Sequence, residues 1–165
     1  MPKERNFVDS CIFVAKYLTE PFAESCADFL ADSGNGYIGV ISPIVVGEVT
    51  NKILEHTRDE THFNFAMSAF RRDLKRFERE PIYPEIVDIY QSMKEGGIWH
   101  ISTHDKLMLA SALHLNCSGF VVLPGTKEFV EKSQQDAIVE FARKIRGSAL
   151  HVIPLNELRD HKYVK

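Results

Sequence analysis

The stretch "NFVDSCIFVAKYL", residues 6–18, frames the fold question. A short apolar run, Phe7 and Val8, ends on an acidic residue, Asp9. The chain then passes through Ser10 and Cys11 into a pattern with helical spacing. A buried strand is handing over to a helix, and a carboxylate stands at the junction. Two uses fit that position. Asp9 either caps the helix, or belongs to a site assembled from distant parts of the chain.

Outward from that junction, strand-like and helix-like runs alternate, the signature of a parallel sheet covered by helices. The expected fold is α/β, a three-layer α/β/α sandwich around a short parallel sheet. Strands are predicted at 5–9, 37–42 ("YIGVIS") and 119–123 ("GFVVL"), with an edge strand at 151–155, where Pro154 is tolerated. Helices are predicted at 11–18, 21–32, 43–56 (with Pro43 in its first turn), 84–94, 104–116 and 134–146. The segment 60–79 has the strongest periodicity: Phe63, Met67, Phe70, Leu74 and Phe77 form one apolar stripe on a continuous helix. That stripe exceeds what one small sheet requires, so part of it is expected to form a homodimer face or to receive a partner's helix.

The totals bound the function. A chain of 165 residues with 44% hydrophobic and 26% charged residues suits one globular domain over residues 1–165. With 20 basic and 23 acidic residues the net charge is −3, so any nucleic-acid contact must come from a local basic face. Three scattered cysteines (Cys11, Cys26, Cys117) argue for reduced thiols and against a disulfide framework or a structural zinc site. The start "MPKERNF" lacks the apolar core of a signal peptide, and no apolar run reaches membrane-spanning length. A cytoplasmic protein with no membrane association is expected.

Three carboxylates occupy related places: Asp9 ends a strand, Glu48 lies early in the helix after the second strand, and Asp105 opens a later helix. In an open α/β sheet, ligands collect beyond the carboxyl ends of the strands. Clustered carboxylates repel unless protonated or neutralised, and an all-oxygen set suits Mg²⁺ or Mn²⁺. Taken singly, each has an ordinary reading: a cap for Asp9, a solvated helix position for Glu48, and a capping box "STHD" from Ser102 for Asp105.

"NFVDSCIF", "ISPIVVGEVTNKIL" and "THDKLMLASALHLNCSGFVVLPGTKEF" together resemble the PIN domain, the fold of many metal-dependent ribonucleases and of the VapC-type toxins of toxin–antitoxin pairs. The family elements fall in order on Asp9, on Ser42 with Glu48, on Asp105 with Ala110 and Ala112, and on Phe129. The resemblance implies an endoribonuclease in which Asp9, Glu48 and Asp105 hold Mg²⁺ or Mn²⁺, Asp9 being a metal ligand rather than a cap. It also implies an RNA substrate and a small antitoxin partner. Two departures stand out. Cys11 replaces the usual Ser or Asn, and Thr126 takes the place of a fourth acid, with Glu128 two positions late. Thr126 would then contact the scissile phosphate or a metal-bound water in place of that acid. The alternative is a degenerate PIN-like module that binds RNA or a protein without cutting.

Other constellations carry less. Arg71, Arg72, Lys75, Arg76 and Arg79 fall on one stretch opposite the stripe, either a solvated face or a phosphate-contacting one beside the acidic site; Arg71, Arg72, Lys75 and Arg76 are the candidates for nucleic-acid contact. His100 and His104 have zinc-like spacing, but "IST" between them reads as a helix entrance. Cys11 lacks a recognisable His partner for nucleophilic chemistry, and "GNG" and "EGG" lack the frame of a phosphate-binding loop.

Overall fold

The computed structural model describes residues 3–98, 101–126, 129 and 131–158, so His100 and Glu128 lie outside the described residues. A parallel sheet of five strands lies between layers of helices, as the alternation predicts. The strands are β1 (Arg5–Val8), β2 (Ile38–Ile41), β3 (Glu78–Arg79), β4 (Gly119–Val122) and β5 (His151–Pro154), in the order β3-β2-β1-β4-β5. Arg5 pairs with Ile38, Asn6 with Gly119, and Gly119 with His151, all in parallel register. Between them run α1 (Ser10–Tyr17), α2 (Ala23–Ala31), α3 (Pro43–His56), α4 (Glu60–Asp73), α5 (Pro84–Glu95), α6 (Thr103–His114) and α7 (Lys132–Arg146).

The central strands are buried on both faces, which is why they read as short unbroken apolar runs. Phe7 and Phe120 stack across β1 and β4 with centroids 5.5 Å apart. Gly39 in β2 is required by packing: a Cβ there would lie 2.5 Å from the Phe77 ring and 2.5 Å from Ser33 Oγ. The β2 strand therefore comes close to the chain that returns from α4.

The continuous helix expected over 60–79 is not what forms. Helix α4 stops at Asp73, a 3₁₀ turn covers Leu74–Arg76, and Glu78–Arg79 form β3 beside β2. A 3₁₀ turn keeps near-helical spacing for one turn, so the stripe continued past the helix end. Burial also redirects the stripe: Met67, Phe70 and Phe77 are buried, Phe63 and Leu74 pack against the same core, and Phe13 meets Phe70 and Phe77 edge-on at 5.6 and 5.2 Å. Most of the stripe is thus spent on the chain's own core, with Phe63 and Leu74 left half-buried at its edge. The large exposed apolar side chains are others, Phe65 and Leu54 foremost.

Asp73 sits at the carboxyl end of α4, where the helix dipole disfavours an acid. Lys16 and the Tyr17 hydroxyl both donate to its Oδ2 and fasten the end of α1 to the end of α4. No helix among the described residues is long and apolar enough to cross a membrane.

Candidate active site

The strand order reverses at β1. The first three strands build outward on one side of it, and β4 and β5 on the other. The crevice for a ligand in such a sheet opens beyond the carboxyl ends of the strands at that reversal, between β1 and β4. Asp9 follows β1 there, and its N–H donates to Val121 O of β4 at 3.1 Å. Its side chain caps α1, accepting from Cys11 N at 3.4 Å and from Ser10 Oγ at 3.1 Å. The expectation of a ligand rather than a cap is thus corrected in one half, because Asp9 does cap its helix.

A cap does not account for the surroundings of this carboxyl. Asp9 is only 3% exposed. Burial, and secondly the charge of Asp105, push it up to about 6 from an ordinary 3.8, against the opposing hydrogen bonds from Cys11 and Ser10. Asp105 is itself raised, by burial first and also by Glu48, while the Ser102 hydroxyl opposes the shift. Half of the expected capping box forms: Ser102 Oγ accepts from Asp105 N at 3.1 Å, and it donates to Asp105 Oδ2 at 2.6 Å. Glu48 lies two turns into α3, half-buried, with His104 Nδ1 3.5 Å from its Oε1. Three carboxylates from α3, α6 and the β1–α1 junction thus face one cavity of about 530 Å³.

Thr126 lines that cavity too, its Oγ1 donating to Leu123 O at 2.8 Å. Cys11 ties the start of α1 to the end of β4, its Sγ accepting from Leu123 N at 3.4 Å. Burial and the neighbouring Asp9 push this thiol well above its usual range, which agrees with a structural cysteine and not a nucleophile. Beside the acids stand Lys52 and His56, which the sequence reading passed over. They follow Glu48 at four-residue intervals and share its helix face, a spacing that could have found them. Glu20, from the turn after α1, also reaches the rim.

The four basic candidates part company. Arg71 and Arg72 are exposed on the last turn of α4, while Lys75 and Arg76 are exposed on the 3₁₀ turn. Arg76 Nη1 donates to Ala31 O at 2.7 Å and so closes the end of α2. None of the four borders the acidic cavity, but Arg72 lines a larger one, of about 830 Å³, next to it.

Among the described residues no three acidic, histidine or cysteine side chains are drawn into a closed ligand set. The donor chemistry nonetheless fits a hard divalent cation. Asp9 is buried, its charged form is disfavoured by a neighbouring acid, and no salt bridge neutralises it among the described residues. Ser42 Oγ, at the carboxyl end of β2, is buried with no hydrogen-bond partner among the described residues.

Known proteins give the same architecture. The VapBC2 complex of Rickettsia felis, bound to a DNA fragment from its promoter, matches at TM-score 0.58 and 16% identity, over 90% of this chain and 98% of that one. FitAcB from Neisseria gonorrhoeae matches at 0.57 and 16% identity, over 88% and 96%. DNA-bound VapBC from Salmonella typhimurium matches at 0.53 and 13% identity, over 90% and 98%. No curated protein matches by sequence. The PIN domain family model matches residues 7–123, a span that holds Asp9, Glu48 and Asp105 together with the end of β1 and all of β2 to β4, and the chain belongs to the PIN-domain family.

Proposed function

We propose that this PIN domain is a Mg²⁺- or Mn²⁺-dependent endoribonuclease, the toxin of a toxin–antitoxin pair. The observation that carries the reading is Asp9, a buried carboxyl pushed up to about 6 by burial and by the acid across the cavity from it. Such a site favours a cation over three bare charges. Asp9, Glu48 and Asp105 would hold the ion. When bound it would supply charge neutralisation at the phosphate and acidify a water.

The chain's own groups do the rest. Glu48 orients the attacking water and takes its proton, as water oxygen bonds to phosphorus and the bond to the leaving sugar oxygen breaks. His104, 3.5 Å from Glu48, is placed to exchange a proton with it. Lys52, on the same cavity wall, offers positive charge to the phosphate backbone, and His56 stands beside it. The hydroxyl proton of Thr126 is committed to Leu123 O, so its oxygen acts as an acceptor for a water or a substrate hydroxyl.

An antitoxin partner is proposed by likeness to the VapBC complexes. A homodimer is proposed as well, to be read by light scattering on the purified protein. Thr126 at the fourth corner favours a second reading, a fold that binds RNA without cutting it. Cleavage of a mixed structured RNA in Mn²⁺ and in EDTA separates the two. Metal-dependent cutting that Asp9→Asn and Asp105→Asn both lose is the expected result. Cutting retained in those variants, or insensitive to EDTA, would refute the assignment.

A further inference from the structure

The larger cavity is formed by the carboxyl ends of α1 and α3 and by α4, and it shares His56 with the acidic cavity, so the two adjoin. Its charges do not cancel. Lys16, Arg58 and Arg72 stand against two carboxylates, Asp59 and Asp73; Lys16 pairs with Asp73, and His62 Nδ1 lies 2.6 Å from Asp59. Arg58 and Arg72 line the same wall and form no salt bridge among the described residues. The cavity is therefore net positive, directly beside a net negative one. On its wall stands Phe65, 75% exposed, a large ring on α4 that the core does not use.

An exposed ring next to unpaired arginines is how proteins hold single-stranded nucleic acid, with stacking under a base and cations along the backbone. A volume of about 830 Å³ suits a ligand of nucleotide size. We infer that this cavity is a subsite for an unpaired nucleotide next to the scissile phosphate, with Phe65 stacking on the base and Arg58 and Arg72 holding the flanking phosphates. The inference rests on the nuclease reading and extends it to substrate class: the RNA is single-stranded where it crosses His56. A partner protein's helix is the competing occupant, but a helix has no use for the net positive wall beside the carboxylates, whereas a nucleic-acid strand running past His56 reaches both cavities.

The test is binding in EDTA of a labelled single-stranded RNA of mixed sequence, followed by fluorescence anisotropy across salt concentrations. Phe65→Ala is expected to weaken binding by about tenfold or more, Phe65→Leu by nearly as much, and Phe65→Trp hardly at all. Arg58→Gln and Arg72→Gln should each reduce the salt dependence by about 0.7 in slope. Duplex RNA of the same sequence should be indifferent to Phe65, since it offers no free base face. Arg58, Phe65 and Arg72 are all exposed, so these substitutions do not put the fold at risk. Equal affinity of wild type and Phe65→Ala for the single strand would overturn the subsite, and so would Phe65→Leu behaving like wild type, the mark of a greasy contact with a protein. Cleavage in Mn²⁺ by wild type and by Asp9→Asn is read separately. Loss of cutting in Asp9→Asn with Phe65-independent binding sinks the subsite and leaves the nuclease. Phe65-dependent binding without cutting does the reverse.

Discussion

Asp9→Asn in the chelated protein isolates the charge that the candidate site was built around. In the folded chain Asp9 is raised to about 6, against 3.8 for an unperturbed carboxyl. A raised acid destabilises the fold only where it must ionise. Below about pH 4 it is protonated in both states and costs nothing. Between about 4 and 6 the folded state binds the extra proton, so stability falls as pH rises, and above about 6 the full penalty stands. A shift of about 2 units corresponds to about 3 kcal/mol at pH 7.5, where the side chain is almost fully buried and solvent screening is weak.

Asparagine caps a helix as well as aspartate does, and the accepted bond from Cys11 N can be kept. Losing the favourable charge at the helix N-terminus costs about 0.3–1 kcal/mol. The variant in EDTA should therefore be more stable than wild type by about 2–3 kcal/mol at pH 7.5, or roughly 4–12 °C in Tm for a chain of this size. At pH 4 the difference should vanish. The assay is thermal unfolding by circular dichroism at a series of pH values, in EDTA and again in Mn²⁺. Wild type alone should gain Tm in Mn²⁺, since ligand binding stabilises in proportion to occupancy. A variant less stable than wild type at pH 7.5 would refute the reasoning, as would a difference independent of pH. The first result would make Asp9 a cap and nothing more.

Gly39→Ala should destabilise by about 1–3 kcal/mol, because its Cβ would sit 2.5 Å from the Phe77 ring in a core with no room to give; denaturant unfolding reads this, and an unchanged midpoint would place Phe77 elsewhere. Thr126→Asp adds a further carboxylate to a cavity already lined by Asp9, Glu20, Glu48 and Asp105 and removes the bond to Leu123 O, so in EDTA the protein should lose about 1–3 kcal/mol. Mn²⁺ should return more of that loss than it adds to wild type, and an unchanged Tm in EDTA would mean that residue 126 does not face the acids.

The sequence made some of this legible and not the rest, for physical reasons. β1 and β4 were readable because strands buried on both faces carry unbroken apolar runs, and α6 because Ser102 caps it, accepting from Asp105 N. β3 was not readable. It has two residues, both charged and exposed, and pairs on one side only, so neither alternation nor apolarity marks it. Charge on a short edge strand is what keeps such an edge from pairing with other chains, so the signal was absent for a structural reason. The helix end at Asp73 was hidden because Leu74 and Phe77 continue the packing spacing through a 3₁₀ turn. The spread of Arg71, Arg72, Lys75 and Arg76 over two elements follows from that one misplaced boundary. Lys52 and His56 were visible in principle, at four and eight residues after Glu48, once Glu48 was granted a role.

The choice between cap and ligand could not be made from residues 6–18, since both uses require the same position after the strand. Structure shows why the alternatives were not exclusive: the residue that ends the central strand of a parallel sheet must both start the next helix and face the crevice. The cap alone, however, asks only for a short side chain with an accepting oxygen, and Ser or Asn would give it without burying a charge. What Asp9 adds over those residues is a negative charge, held at about 3 kcal/mol against the metal-free fold at neutral pH and worsened by Asp105. A feature that weakens the empty protein in this way has a physical rationale only if something positive comes to the site. Lys52 and His56 lie on the wall of the cavity but form no pair with Asp9, so the chain does not supply that charge itself. On the proposed reading that charge arrives from solution, and the pH dependence of the Asp9→Asn stability difference, together with its response to Mn²⁺, measures whether it does.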